Sequence, residues 1–228
     1  LGGHYILKPQ NAAFPEMPEN EHLTMKLAEL LKIQTVVSSL IRLKSGELSY
    51  ITKRIDRTTK GEKIHMLDMF QITEAFDKYR SSMEKVGKAV IEHSSHTLLD
   101  VLRLYELVIF TYITGNNDMH LKNFSLILKD ENWGFAPAYD LLNAQLHLSE
   151  DKEETALTIG GKKSRLTKSD FIILGVKFGL SEKQIENVFQ RFIKAEKKLL
   201  LLIDQSFLRE ANKIKYKDLL TQRLHLFK

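Results

Sequence analysis

Apolar positions recur along this chain in two periods, and the change from one to the other divides it. Tyr5-Ile6-Leu7-Lys8 reads as a short strand that stops at Pro9, since proline has no N–H for a ladder. From Glu21 to Ile33, Leu23, Leu27, Leu30 and Leu31 fall at helical spacing, with Asn20 the expected N-cap and Glu21 in the first turn. Val36–Leu43 and Leu48–Arg54 are β-prone runs around the turn Lys44-Ser45-Gly46-Glu47, so an antiparallel hairpin is predicted. The polar segment Thr58–Lys63 then leads into helical periodicity. Thr97–Thr114 is apolar on most faces and predicts a buried central helix, broken by Gly115-Asn116-Asn117. Phe124–Leu128 and Phe135–Pro137 flank Asp130-Glu131-Asn132 as a second hairpin. Thr167-x-x-Asp170 and Ser181-x-x-Gln184 read as capping boxes opening C-terminal helices, and the polar stretch Ser149–Ser164 as a surface loop.

Composition narrows the chemistry. At 43% hydrophobic and 28% charged over 228 residues, the chain has enough apolar content for a sizeable core. No cysteine is present, which removes disulfides, thiolate metal sites and cysteine nucleophiles, and an intracellular, cytoplasmic protein is the expectation. No run approaches the ~18–20 apolar residues of a membrane span, because Asp100, Arg103 and Glu106 interrupt Leu98–Tyr112. Leu1-Gly2-Gly3-His4 lacks the basic start of a signal peptide and reads as the interior of a domain with chain upstream. The net charge of +5 resides largely in lysines and arginines interleaved with Glu196, Asp204 and Glu210, the pattern of solvated helix faces more than of a nucleic-acid surface.

Phosphoryl transfer asks little covalent chemistry of a protein: a held magnesium ion, a cation on the phosphates, and a carboxylate that orients the attacking hydroxyl. Asp118-Met119-His120-Leu121-Lys122-Asn123 sets an aspartate and an asparagine five positions apart after the buried helix. A hairpin follows, and then Asp140 in Ala138-Tyr139-Asp140-Leu141. Asp-x4-Asn alone is uninformative; its place in this order gives it weight. Carboxylate and amide oxygens are the hard ligands magnesium prefers. His93-x-x-His96 has metal-ligand spacing but no third ligand nearby in sequence.

With those residues in view, the chain resembles the HipA-like serine/threonine kinases of bacterial toxin–antitoxin systems. The resemblance rests on Asn117–Ser125, Pro137–Leu142, Lys53–Arg57, Asp68–Gln71 with Lys78-Tyr79, and Asn20-Glu21 after Ile6–Pro9, in the family's order over nearly the whole chain. It implies an α+β, protein-kinase-like fold of two lobes, an N-lobe at 1–56 and a helical C-lobe at 57–228. By the same resemblance Asp118 is the catalytic base, and Asn123 and Asp140 are the magnesium ligands. Lys8 contacts ATP phosphates, and the general kinase pattern pairs it with Glu21. The backbone of Lys53 to Ile55 is the adenine hinge, Gln71 and Tyr139 line the nucleotide pocket, and His120 braces the loop beside the nucleotide. Plainer readings stand beside these: Glu21 as a first-turn acid favoured by the helix dipole, Asp140 as an N-cap, Lys8 as an exposed edge lysine, Tyr139 as a packing residue.

Two departures from the family pattern matter. The glycine- and serine-containing phosphate loop that precedes the lysine strand in HipA-like kinases has no counterpart in Leu1–His4, so that loop is expected upstream. Lys53 also stands where many relatives carry an acid, which leaves backbone contacts to adenine intact. The function implied is an ATP- and Mg2+-dependent toxin kinase acting on an aminoacyl-tRNA synthetase. A HipB-like helix-turn-helix antitoxin restrains it, DNA is reached only through the antitoxin, and no membrane is involved. A silent pseudokinase that docks a DNA-binding antitoxin and a small-metabolite kinase are the alternatives.

Overall fold

In a computed structural model the chain is described at residues 3–148 and 151–228; Leu1 and Gly2, and Ser149 and Glu150 of the expected surface loop, lie outside the described residues. The first sheet contains β1 (Tyr5–Lys8), β2 (Ser38–Arg42) and β3 (Leu48–Lys53), antiparallel in the order β1-β3-β2. Central β3 pairs Tyr50 with both Lys8 and Leu40, and Tyr50 is fully buried. The expected hairpin turn forms, with Gly46 at φ 90°, a region that glycine enters without steric cost. Helix α1 (Met17–Leu30) packs Leu23, Leu27 and Ala28 inward against this sheet.

The second sheet runs β4 (Met66–Asp68), β5 (Ser125–Lys129) and β6 (Asn132–Phe135) in that order, both pairings antiparallel. β6 begins at Asn132 and ends at Phe135, earlier than the Phe135–Pro137 predicted. The tight turn at Asp130 and Glu131, both at positive φ, lets the chain re-pair at once. Between β4 and β5 in sequence lie α2 (Met69–Ile72), α3 (Met83–His93) and α4 (Thr97–Ile113). Helix α4 is the predicted central helix, with Leu104, Tyr105, Val108, Ile109 and Phe110 wholly buried. Helices α5 (Lys168–Lys177), α6 (Glu182–Asp204) and α7 (Glu210–His225) complete the chain; both predicted capping boxes close, at Thr167 with Asp170 and at Ser181 with Gln184. Tyr112, Phe171, Phe189 and Phe227 form one aromatic cluster with centroids 4.7–5.9 Å apart in contacting pairs. Each such side chain stabilises the fold by about 1.5–3 kcal/mol through burial.

Two expectations are corrected. Asn20 is not the N-cap of α1. Pro18 suits the first turn, where no N–H is needed, so the helix starts at Met17 and Asn20 lies inside it, fully buried. There its Nδ2 donates to the Asn143 carbonyl at 2.9 Å and its Oδ1 accepts from the Asn143 N–H at 2.8 Å. Nor is the 149–164 stretch all surface. Ala156, Leu157 and Ile159 are buried in the core and Thr158 bridges Ser82, because this short apolar run sits inside a polar segment and closes over α3.

Candidate active site

Lys8 is the last residue of β1. Its Nζ donates to Glu21 Oε1 at 2.8 Å and to Asp140 Oδ1. Glu21 reaches it from the buried face of α1 and is only 3% exposed. Asp140 arrives from the far side. After β6 the chain crosses to the loop following α1, where the Ala138 N–H donates to Gln34 at 2.8 Å and the Val36 N–H donates to Ala138 at 3.0 Å. Asp140 then takes a φ of 58°, a left-handed conformation uncommon for a residue other than glycine and typical of functional turns. Burial works against the Lys8 ammonium, but the two carboxylates outweigh it and hold its pKa above the ordinary value. Burial pushes Glu21 up to about 7 against the opposing pull of Lys8, and Asp140 adds to the rise.

The loop bearing Asp118 follows α4. Gly115 turns the chain at φ 72°, and a Cβ there would stand 2.4 Å from Leu219 and 2.7 Å from Asn143. Asn117 Nδ2 donates to Asp151 at 2.9 Å and to the Glu153 carbonyl at 3.1 Å, which anchors the loop's other side. A 3-10 turn over Leu121–Asn123 closes it; the Asn123 N–H donates to His120 at 2.9 Å and Nδ2 points toward the Asp118 carbonyl at 3.5 Å, so Oδ1 is the acceptor left over. Asp118 Oδ1 accepts from the Tyr79 hydroxyl at 2.7 Å. Lys78 Nζ meets His120 Nε2 at 2.9 Å; an ammonium only donates, so Nε2 accepts and the ring proton sits on Nδ1. That Nδ1 is buried without a hydrogen-bond partner among the described residues. Burial first, and the Lys78 charge second, lower the His120 pKa and keep the ring neutral.

Lys8, Glu21, Lys53, Ile55, Gln71, Tyr139 and Asp140 all line one cleft of about 430 Å³. Asp118, His120 and Asn123 sit on the adjoining loop and not in the cleft wall, though His120 lies close enough to feel the charges of both Asp118 and Asp140. At the hinge, the Lys53 and Arg54 N–H groups are already donated to Val37 and His4, each at 2.8 Å, whereas the Ile55 N–H has no backbone partner among the described residues. Gln71 closes a capping box with Asp68: its N–H donates to Asp68 Oδ1 at 2.9 Å and its Oε1 accepts from the Asp68 N–H at 3.1 Å, which leaves the amide Nε2 as its unused group. The Tyr139 hydroxyl bridges Ser125 at 2.5 Å and the Lys122 carbonyl at 2.9 Å, so it ties the loop to the segment holding Asp140. Lys122, also in the cleft wall, sits 4.8 Å over the Phe70 ring and has no ion-pair partner among the described residues. A cation between Asp118 and Asn123 is the sequence signal for Lys122, whereas Tyr79 carries only its place beside Lys78 in the family motif. Among the described residues no three His, Asp or Glu side chains cluster as a metal site, around His93 and His96 or elsewhere. No described helix is long and apolar enough to cross a membrane.

This mixed sheet-and-helix fold, with a lysine held by two carboxylates beside an aspartate-bearing loop, has clear relatives. The chain belongs to the HipA-like C-terminal domain family, which it matches over residues 1–199. It is 26% identical over 236 residues to a Haemophilus influenzae protein named "Putative kinase", covering 90% of this chain and 69% of that one. It is 31% identical over 224 residues to the Sinorhizobium fredii "Putative kinase Y4dM", covering 87% of this chain and 54% of the relative. Its fold superposes on a chain of the Shewanella oneidensis toxin–antitoxin complex of HipA, HipB and operator DNA with a TM-score of 0.80 at 17% identity, over 97% of this chain and 58% of that one. The Helicobacter pylori proinflammatory kinase CtkA gives a TM-score of 0.69 at 16% identity, over 97% and 86%. At those identities the two structures speak for the fold alone.

Proposed function

We propose that this chain carries the catalytic machinery of an ATP- and magnesium-dependent serine/threonine protein kinase. In this reading residues 1–56 are the small lobe, residues 57–228 the large one, and the cleft between them takes the nucleotide. The observation that carries it is the Lys8 ammonium held between Glu21 and Asp140 in a cleft flanked by the Asp118 loop. The residues present fit magnesium-ATP. The cleft volume falls in the usual range for small-molecule sites. Asn123 Oδ1 and the Asp140 carboxylate are hard oxygen donors, and the buried His120 Nδ1 is a donor without a partner.

Magnesium-ATP bound there supplies the transferable γ-phosphoryl group, with the ion screening its charge. Asn123 and Asp140 would hold the ion, and Lys8 the phosphates. Glu21 would aim the Lys8 ammonium, Gln71 and Tyr139 flank the nucleotide, and the Ile55 N–H is the hinge donor for adenine. Asp118 would accept the proton of the acceptor hydroxyl, whose oxygen takes the γ-phosphoryl group as its bond to the bridging oxygen breaks and ADP leaves. The family relationship, and the HipA–HipB–operator complex among its structural relatives, support a cytoplasmic toxin role. A HipB-like antitoxin would be the partner and an aminoacyl-tRNA synthetase the acceptor. Replacing Asp118 with Asn in the intact protein and following label from γ-labelled ATP into a cell extract tests the enzyme reading. Transfer falls by roughly 10²- to 10⁴-fold if Asp118 is the base; undiminished labelling ends the proposal.

A further inference from the structure

Between α2 and α3 lies a segment that no catalytic assignment uses, yet it touches the Asp118 loop at every step. The Leu121 N–H donates to the Lys78 carbonyl at 3.2 Å, Lys78 Nζ donates to His120 at 2.9 Å, and the Tyr79 hydroxyl donates to Asp118 at 2.7 Å. The Tyr79 ring also packs edge-on against His120, with centroids 5.1 Å apart. We propose that Lys78-Tyr79 is a positioning clamp for the phosphotransfer reaction, holding one oxygen of Asp118 so that the other faces the acceptor hydroxyl.

The inference rests on the reading of Asp118 as the base. Packing does not account for the contact: Tyr79 is 37% exposed, and a hydroxyl in water gains little stability by leaving it for a carboxylate. Orientation does account for it. A carboxylate can rotate about its Cβ–Cγ bond, and a single strong donor on Oδ1 removes that freedom while leaving Oδ2 for substrate. Tyr79 suits this part because burial, and then Asp118 itself, push its pKa up to about 12, so the hydroxyl stays protonated and donating. The segment is also shaped in advance. Glu74 turns it at φ 48°, and Asp77 Oδ1 accepts from the Tyr79 N–H at 2.8 Å. Because Gln71 of α2, just before this segment, lines the nucleotide cleft, one short stretch of chain links the nucleotide side of the site to the proton-accepting side. Lys78 fixes the second half of the loop by setting the His120 tautomer.

The test uses full-length protein, γ-labelled ATP with excess magnesium, and a heat-inactivated cell extract as the pooled acceptor. Tyr79→Phe keeps the ring on His120 and removes only the hydroxyl. It is expected to lower the maximal rate about tenfold, the scale of one lost hydrogen bond to a charged group, with the KM for ATP and the melting temperature unchanged. Lys78→Met is expected to lower the rate in the same way and to alter the ¹⁵N tautomer signature of His120, with Lys78→Arg restoring part of both. A Tyr79→Phe rate within twofold of wild type overturns the clamp. So does a rate above wild type, since Tyr79 would then be blocking the acceptor, and so does a joint fall in rate and melting temperature, which is a structural role. A wild type that transfers no phosphate overturns the kinase reading and this inference with it, whereas an active wild type matched by Tyr79→Phe overturns the inference alone.

Discussion

Glu21 offers a quantitative test of the site's electrostatics, because its protonation is coupled to folding. Burial raises its carboxyl from the ordinary 4.5 to about 7 in the folded chain. The folded state therefore holds a proton on Glu21 that the unfolded chain has released, and stability from this group is lost as pH rises from about 4.5 to about 7. At roughly 1.4 kcal/mol per pKa unit, the full effect is about 3 kcal/mol. His22, His120 and His147, whose pKa values burial lowers, contribute to the pH dependence with the opposite sign. Comparing wild type with Glu21→Gln cancels them. Urea unfolding of both proteins at a series of pH values is the assay. Glutamine mimics the protonated acid, so the two stabilities converge near pH 4.5, and above pH 7 the variant gains about 3 kcal/mol on wild type. A difference that stays flat, or one in which the variant grows worse with rising pH, refutes the reasoning, because the Lys8 ion pair would then outweigh burial.

Other expectations follow from packing. Gly87 of α3 faces Phe178 so closely that an added Cβ would sit 2.1 Å from its ring, so Gly87→Ala should cost about 1–3 kcal/mol by overpacking despite better helix propensity, read as a lower melting temperature. Asn20→Ala leaves the buried Asn143 N–H and carbonyl unpaired, and about 2–4 kcal/mol of stability is expected to be lost in the same measurement; Asn20→Asp, which keeps only the acceptor, should be intermediate.

How much of this was legible in the chain depends on range. Elements set by local chemistry were readable: β1 stopped by Pro9, the turn at Gly46, the apolar helix α4, and the capping boxes at Thr167 and Ser181. Strand β4 was not, since three residues carry no period and its definition comes from pairing with β5, about sixty residues further on. The Asn20 role is hidden for the same reason: its partner Asn143 is 123 positions away, and only Pro18 hints locally that the helix has already begun. The buried run Ala156–Ile159 was masked by its polar flanks. At the candidate site, seven of the ten expected side chains line the cleft while Asp118, His120 and Asn123 stand on the adjoining loop, and the Lys8–Glu21 pair expected from the general kinase pattern is formed. Sequence did not reveal that Lys8 also binds Asp140, or that Tyr79 reaches Asp118 across 39 positions, because both contacts exist only once the chain is folded.

Whether Lys8, Asn123 and Asp140 together hold a magnesium-bound nucleotide is decided by calorimetric titration of a non-hydrolysable ATP analogue into the full-length protein, with magnesium and then with chelator. Binding is expected to weaken at least tenfold without magnesium, and the weaker binding of an Asp140→Asn variant to respond no longer to the ion. Equal affinity in magnesium and chelator, or an Asp140→Asn variant that binds as wild type does, contradicts it.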